Sequence, residues 1–210
     1  MTYYGAKELA ESFKTVRGNT LKIAEEIPED KYSFAAAPGV RTVEKVLTHI
    51  ALGCKFQHMF HAVERRSNFD GIDFGKLMGQ WMADEAKPRT KAQVIDLLRK
   101  EEDTWASFVA GLSEDFLGEA VQMPQGAAPP TKSRLEMILS VKEHEMHHRA
   151  QLMLVERMIG IVPHLTRDMQ ARMAQQAQAT KAQGFALRTR AKARDYMEAE
   201  TLALECSRGL

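Results

Sequence analysis

Four stretches of this chain repeat apolar residues every three to four positions, a period that restricts it to helices packed on helices. In the first, over residues 5–27, Leu9, Phe13, Val16, Ile23 and Ile27 share a face, apart from a polar gap around Thr20, and Pro28 closes the helix. The second starts from Thr42, a good N-cap, with Glu44 in its first turn, and is expected to run to about Arg66. Val43, Val46, Leu47, Ile50 and Cys54 form one stripe on it; His49, Gly53, Phe56 and Phe60 form another beside it. A helix apolar over so wide an arc is buried on most sides. Thr90 and Gln93 make a capping box that opens the third helix, which carries Val94, Leu97, Leu98, Trp105, Phe108, Val109 and Leu112. Ser133 and Glu136 make another, opening a fourth with the stripe Met137, Val141, His144, His148, Leu152, Val155 and Ile159. It stops at Gly160, before Pro163. No strand pattern stands out. The expectation is an all-α four-helix bundle with two long connections.

The first long connection, residues 67–90, is rich in turn residues, but Phe74, Leu77, Met78, Trp81 and Met82 are spaced for a short helix capping one end of the core. Trp81 and Trp105 both read as core residues. Beyond Pro163 large apolar residues thin out, and Ala, Gln, Arg and Lys take over. These are helix formers, so the chain divides into a bundle over residues 1–165 and a helical extension over 166–210. Within the extension, residues 188–194 hold Arg188, Arg190, Lys192 and Arg194. A solvated helix face with pairs such as Arg194 to Glu198 accounts for that run more simply than a nucleic-acid contact.

Composition narrows the function classes. With 29 Lys and Arg against 28 Asp and Glu, no net basic charge exists to neutralise a phosphate backbone, and nucleic acid is not an expected partner. No apolar run approaches the roughly 20 residues of a membrane span, so no membrane association is expected. The N-terminal residues mix charge with spaced apolar side chains and lack a signal-peptide core. Two cysteines, Cys54 and Cys206, exclude a disulfide framework. The expected setting is the reducing cytoplasm.

Six of the seven histidines fall in two segments, His49, His58 and His61, then His144, His147 and His148. His144 and His148 are one turn apart on a helix face, where two imidazoles can share a metal ion. Both lie on the apolar stripe between Val141 and Leu152, so burial demands a partner for each ring nitrogen. His49 heads the second stripe of its own helix, and a bundle can bring the two faces together. Three imidazoles with an open fourth position make a catalytic rather than a structural site. The plainer alternative is three buried histidines bonded to carbonyls or to one another. Cys54 lies on the other stripe and is not a ligand candidate. His147 points away from the pair, His58 and His61 read as surface or helix-packing residues, and His164 follows Pro163 in a loop.

Two segments resemble a known family. RTVEKVLTHIALGCKFQHMF is similar to the second helix of the DinB/YfiT-like family, in which a Ser/Thr-Val start leads to a His-Ile pair, here His49-Ile50. VKEHEMHHRAQLMLVERMIGIVP is similar to its fourth helix, with a His followed after three residues by His-Arg-Gly-Gln; here His144 leads to His148, Arg149, Ala150 and Gln151. Ala150 departs from the usual Gly. The resemblance spans roughly residues 5–165. It implies an up-down-down-up bundle, often a homodimer, with one divalent transition metal (Zn, Ni, Fe or Mn) on His49, His144 and His148. It also implies relatives that include mycothiol-dependent maleylpyruvate isomerases and bacillithiol transferases.

The leading expectation is therefore a metal-dependent enzyme that transfers a low-molecular-weight thiol to a small electrophile, the ion favouring the thiolate. Hydrolysis by a metal-activated water is one alternative, and a non-enzymatic metal-binding bundle is another. No acidic residue stands out as a general base. The connections 67–90 and 114–132 are the expected lids.

Overall fold

A computed structural model describes residues 4–208; within the last helix, side chains are described through residue 183 and at 189–191 and 194. The described chain forms two units, Met1–Pro163 and His164–Leu210.

The first unit holds the bundle. Helix α1, Ala6–Glu26, is followed by α2, Val43–Leu52, whose Thr42 hydroxyl accepts from the Lys45 amide at 3.3 Å. The second bundle helix does not run unbroken to Arg66. It interrupts at Gly53–Cys54, resumes as the single turn α3, Lys55–His58, and ends in a π-helical turn, Met59–Val63. Helix α4, Phe74–Ala86, forms within the first long connection, as the apolar spacing there predicts. Next comes α5, Lys91–Ala110, opened by the Thr90/Gln93 capping box. The second connection contains α6, Glu114–Gly118, and an antiparallel pair, β1 Ala120–Gln122 and β2 Thr131–Ser133, with Val121 opposite Lys132. These three-residue strands are too short for a period-two pattern to show in the sequence. Helix α7, Arg134–Met158, follows, with Ser133 as N-cap.

Side-chain pairings give the directions. Lys142 reaches Ser12 and Glu145 reaches Arg17, so α1 and α7 run parallel. Lys91 binds the Glu25 and Ile27 carbonyls while Arg17 binds that of Leu98, so α1 and α5 are antiparallel. His49 faces His148 while Gly53 faces His144, so α2 and α7 are antiparallel. The order is up-down-down-up, which explains why the connection between the two parallel middle helices must be long.

The core has two main apolar clusters. One gathers Phe13, Trp105, Val109, Phe116 and Val141; the other gathers Ile23, Leu47, Leu98 and Leu152. Between them, in the polar gap of α1, sits a buried ion pair. Arg17, 0% exposed, forks onto Glu145, 1% exposed, with Nε and Nη2 each 2.9 Å from a carboxylate oxygen. Its remaining donors go to the Leu98 and Ile50 carbonyls, at 2.7 and 3.4 Å. The guanidinium also lies 5.1 Å from the centre of the Phe13 ring, which joins the two clusters.

The second unit is one helix, α8, His164–Arg208. The helix begins at His164, so that residue is not in a loop. Every side chain from Arg167 to Gln183 is exposed. In the basic run, the side chains of Arg188 and Lys192 lie outside the described residues, as does Glu198, the partner expected for Arg194. No described helix is long and apolar enough to cross a membrane.

Candidate metal centre

Helices α2 and α7 bring His49, His144 and His148 together. Their ligand atoms all lie within 4.8 Å of one another. His144 is central, its Nε2 3.1 Å from His49 Nε2 and 3.2 Å from His148 Nε2. Donors held about 2.0–2.1 Å from one ion are themselves about 2.8–3.0 Å apart at octahedral angles and about 3.3–3.4 Å apart at tetrahedral ones, which brackets the two contacts of His144.

The outer bonds of the rings set their tautomers. His49 Nδ1 lies 2.9 Å from Glu85 Oε2. A carboxylate only accepts, so Nδ1 carries a proton, and in the neutral ring Nε2 keeps a lone pair. His148 Nδ1 donates to Gln151 Oε1 at 2.8 Å, and the Gln151 amide donates to His147 Nε2 at 3.2 Å, leaving His148 Nε2 with a lone pair as well. Both lone pairs face His144 Nε2. One Nε2–H can satisfy only one of them, so at least one N···N contact has no proton between its partners. A cation among the three atoms resolves that conflict, and the residues fit one. A carboxylate behind His49 and an amide behind His148 orient those two imidazoles as ligands of an ion are oriented.

Burial first, and then the neighbouring His148 and His49, together lower the His144 pKa to about 4. Burial also lowers that of His148, against the opposing bond to Gln151. Both rings are therefore neutral at ordinary pH, the state a metal ligand needs. Burial alone would raise the Glu85 pKa, but hydrogen bonds from Arg41 and His49 outweigh it and hold the carboxyl below its usual range. Arg41 is bound to Glu85 through its Nε and, at 3.3 Å, through Nη2.

Gly53 makes the convergence possible. A Cβ at this position would lie 2.9 Å from His144 Nδ1 and 3.1 Å from Cε1, so the imidazole occupies the space a side chain would need. Beside the imidazoles opens a cavity of about 370 Å³. Leu52, Phe56, Met78, Trp81, Met82 and Val141 give it apolar walls, and Arg41, Gln57, Glu85 and Ser140 give it polar points. Trp81 is thus a cavity wall rather than a core residue, while Trp105 is buried in the core. Of the two connections expected as lids, the first supplies α4 to the wall, and the second supplies no lining residue.

The remaining histidines separate as follows. His147 is exposed and bonded to Gln151. His58 packs edge-on to Phe108 at 5.6 Å. His61 is fully buried and held by Gln57 and Arg134, which makes it a packing residue rather than a surface one, the second of its two expected placements. Cys54 is buried on the far side of α2, where burial pushes its thiol up to about 12 and keeps it protonated. Glu85, Arg41 and Gln57 carry no sequence signal as site residues. Gln151 does, as a member of the fourth-helix motif, though without a stated role.

The comparisons agree with this architecture. Residues 12–152 match the model of the DinB superfamily. Among solved structures, a DinB-like protein from Bacillus cereus is 16% identical, with a TM-score of 0.58 over 77% of this chain and 97% of its own. A DinB-like protein from Bacillus subtilis is 20% identical, with a TM-score of 0.53 over 73% of this chain and 92% of its own. YfiT from Bacillus subtilis, described as a probable metal-dependent hydrolase with an unusual four-helix bundle topology, is 13% identical, with a TM-score of 0.57 over 74% of this chain and 88% of its own. Comparison with curated protein sequences gives no match. With the family model covering most of the bundle and the same fold in these structures, the chain belongs to the DinB superfamily.

Proposed function

We propose that His49, His144 and His148 hold one divalent transition metal through their Nε2 atoms, and that the protein is a metal-dependent hydrolase of a small molecule bound in the adjoining cavity. The observation that carries this reading is the meeting of three Nε2 atoms, two with defined lone pairs, at the edge of an apolar cavity. When bound, such an ion supplies Lewis acidity, polarising an electrophile and easing deprotonation of a nucleophile at its open position. The chain's own residues do the rest. Glu85 and Gln151 hold the rings in the ligating tautomer. The apolar walls exclude bulk water and strengthen electrostatic interactions inside the cavity. Imidazole donors suit Zn, Ni, Fe and Cu, and geometry and supply decide between them.

Water is the favoured nucleophile because the cavity suits one small molecule and its two charged residues, Arg41 and Glu85, hold each other. Among the described lining residues, that leaves no cation other than the paired Arg41 for the anionic groups of a hydrophilic thiol. The description of YfiT supports the same reading. Thiol transfer is the second reading, favoured by one observation. The lining carboxylate, Glu85, is tied to Arg41 and His49 rather than free to act as a base, and an ion on the three histidines would lower the pKa of a thiol and favour its thiolate.

Elemental analysis of untagged protein purified without chelator, beside His49→Ala and His148→Ala, tests the site. About one ion per chain is expected, lost in both variants while helicity persists. No ion after reconstitution refutes it. Ester and amide panels without added thiol test the reaction, and turnover that requires an added thiol replaces the first reading with the second.

A further inference from the structure

Behind the cavity wall, a row of groups with fixed donor and acceptor roles sets the orientation of one lining side chain. Arg134, at the start of α7, is 3% exposed. Its Nε donates to Glu119 Oε2 at 2.8 Å, and its Nη1 lies 2.9 Å from His61 Nδ1. A guanidinium has no acceptor, so Nδ1 must carry the lone pair and the neutral ring must carry its proton on Nε2. Burial, followed by the charge of Arg134, lowers the His61 pKa to about 4, which keeps the ring neutral. His61 Nε2–H therefore donates to the Gln57 side chain, at 2.9 Å, and the atom it meets must be the carbonyl Oε1. Gln57 cannot flip without setting two donors against each other. Its Nε2, with two N–H groups, makes no hydrogen bond to the described residues.

Gln57 lines the cavity beside Phe56, Trp81 and Val141, with Phe56 and Trp81 edge to face at 5.6 Å. A ligand that covers this wall without offering an acceptor leaves the amide unsatisfied.

We propose that Gln57 is a specificity-determining residue of this cavity: its amide donates to the carbonyl or ether oxygen of an otherwise apolar small molecule packed against Phe56 and Trp81, and Arg134 and His61 hold it in that orientation. The proposal rests on reading the cavity as the substrate site, and it does not require the ion.

Two isosteric probes test it: acetophenone, which has a carbonyl acceptor, and α-methylstyrene, which has a methylene in its place. Each is titrated into the full chain, ion-loaded and chelator-treated, with side-chain amide signals followed by 1H–15N NMR. The Gln57 signal is assigned from its loss in Gln57→Glu, which keeps an acceptor for His61 and removes the donor. Acetophenone is expected to shift the Gln57 amide and to bind roughly 3- to 10-fold tighter than α-methylstyrene, the range of one neutral hydrogen bond. Gln57→Glu removes that preference, with or without the ion. A preference that survives in Gln57→Glu, or equal binding with an unmoved Gln57 amide, overturns the proposal. A preference that vanishes on chelation and ignores Gln57 also overturns it, while leaving the metal centre standing. A chain that takes up no ion but keeps the Gln57-dependent preference overturns the metal reading alone.

Discussion

Gly53→Ala separates the stability of the bundle from the geometry of its metal centre. Gly53 sits at φ −61° and ψ −26°, a helical conformation that alanine adopts without strain. On propensity alone the substitution stabilises by about 0.5–1 kcal/mol. Against this, the new methyl carbon stands 2.9 Å from His144 Nδ1, 3.1 Å from Cε1 and 3.3 Å from the Ile50 carbonyl oxygen. A comfortable contact is about 3.5 Å, so the imidazole has to recede by roughly 0.5 Å. Metal–ligand distances tolerate only about 0.2 Å. His144 is the ring whose Nε2 approaches both others, so its recession opens the whole cluster. The expected outcome is a 10- to 100-fold loss of metal affinity, the range seen when the support of a ligand is disturbed, or about 1.4–2.7 kcal/mol. The chelated protein should change in stability by less than about 1 kcal/mol, because propensity gain and steric cost oppose. Competition against a chromophoric chelator reads the affinity, and urea unfolding of the chelated protein reads the stability. A Gly53→Ala protein that binds the ion as tightly as the wild type refutes the reasoning, since the close approach of α2 to the His144 ring would then not set the site.

Two further outcomes concern the frame around the site. Arg17→Met leaves Glu145 buried and unpaired and should destabilise the bundle by about 3–5 kcal/mol in urea unfolding, whereas Arg17→Met with Glu145→Met should recover most of that loss; a double variant as unstable as the single one refutes the pairing. His61, with a folded pKa of about 4 against about 6.5 unfolded, takes up its proton first in the unfolded chain, so its contribution is complete above about pH 6.5 and is lost as pH falls toward 4. The wild type should therefore lose up to about 3 kcal/mol more than His61→Gln between pH 7 and pH 4, and parallel stability curves would refute the assignment.

What the sequence makes legible here follows from distance along the chain. His144 and His148 share a face by spacing alone, and His49 declares itself as a polar residue on an apolar stripe, so the three histidines that meet can be picked out in advance. Thr42, Thr90 and Ser133 mark three helix starts because a cap is a contact over three residues. The break at Gly53–Cys54 is invisible to the same reasoning, since no local residue forbids a continuous helix there. The neighbour that excludes a side chain at Gly53 is His144, 91 positions away. The polar gap of α1 reads as a weak spot until Glu145 supplies the partner for Arg17, 128 positions on. Likewise His61 looks like an ordinary surface or helix-packing residue until Arg134 takes one nitrogen, and Glu85 looks like any acid of a turn-rich connection until α4 carries it to His49. In each case a polar residue among apolar ones is the readable half of a pair. An unpaired buried polar group costs far more than a paired one, so the apolar context already says that a partner must exist. Only the fold says which residue it is, because the partner itself sits in an ordinary polar context and carries no mark of its own.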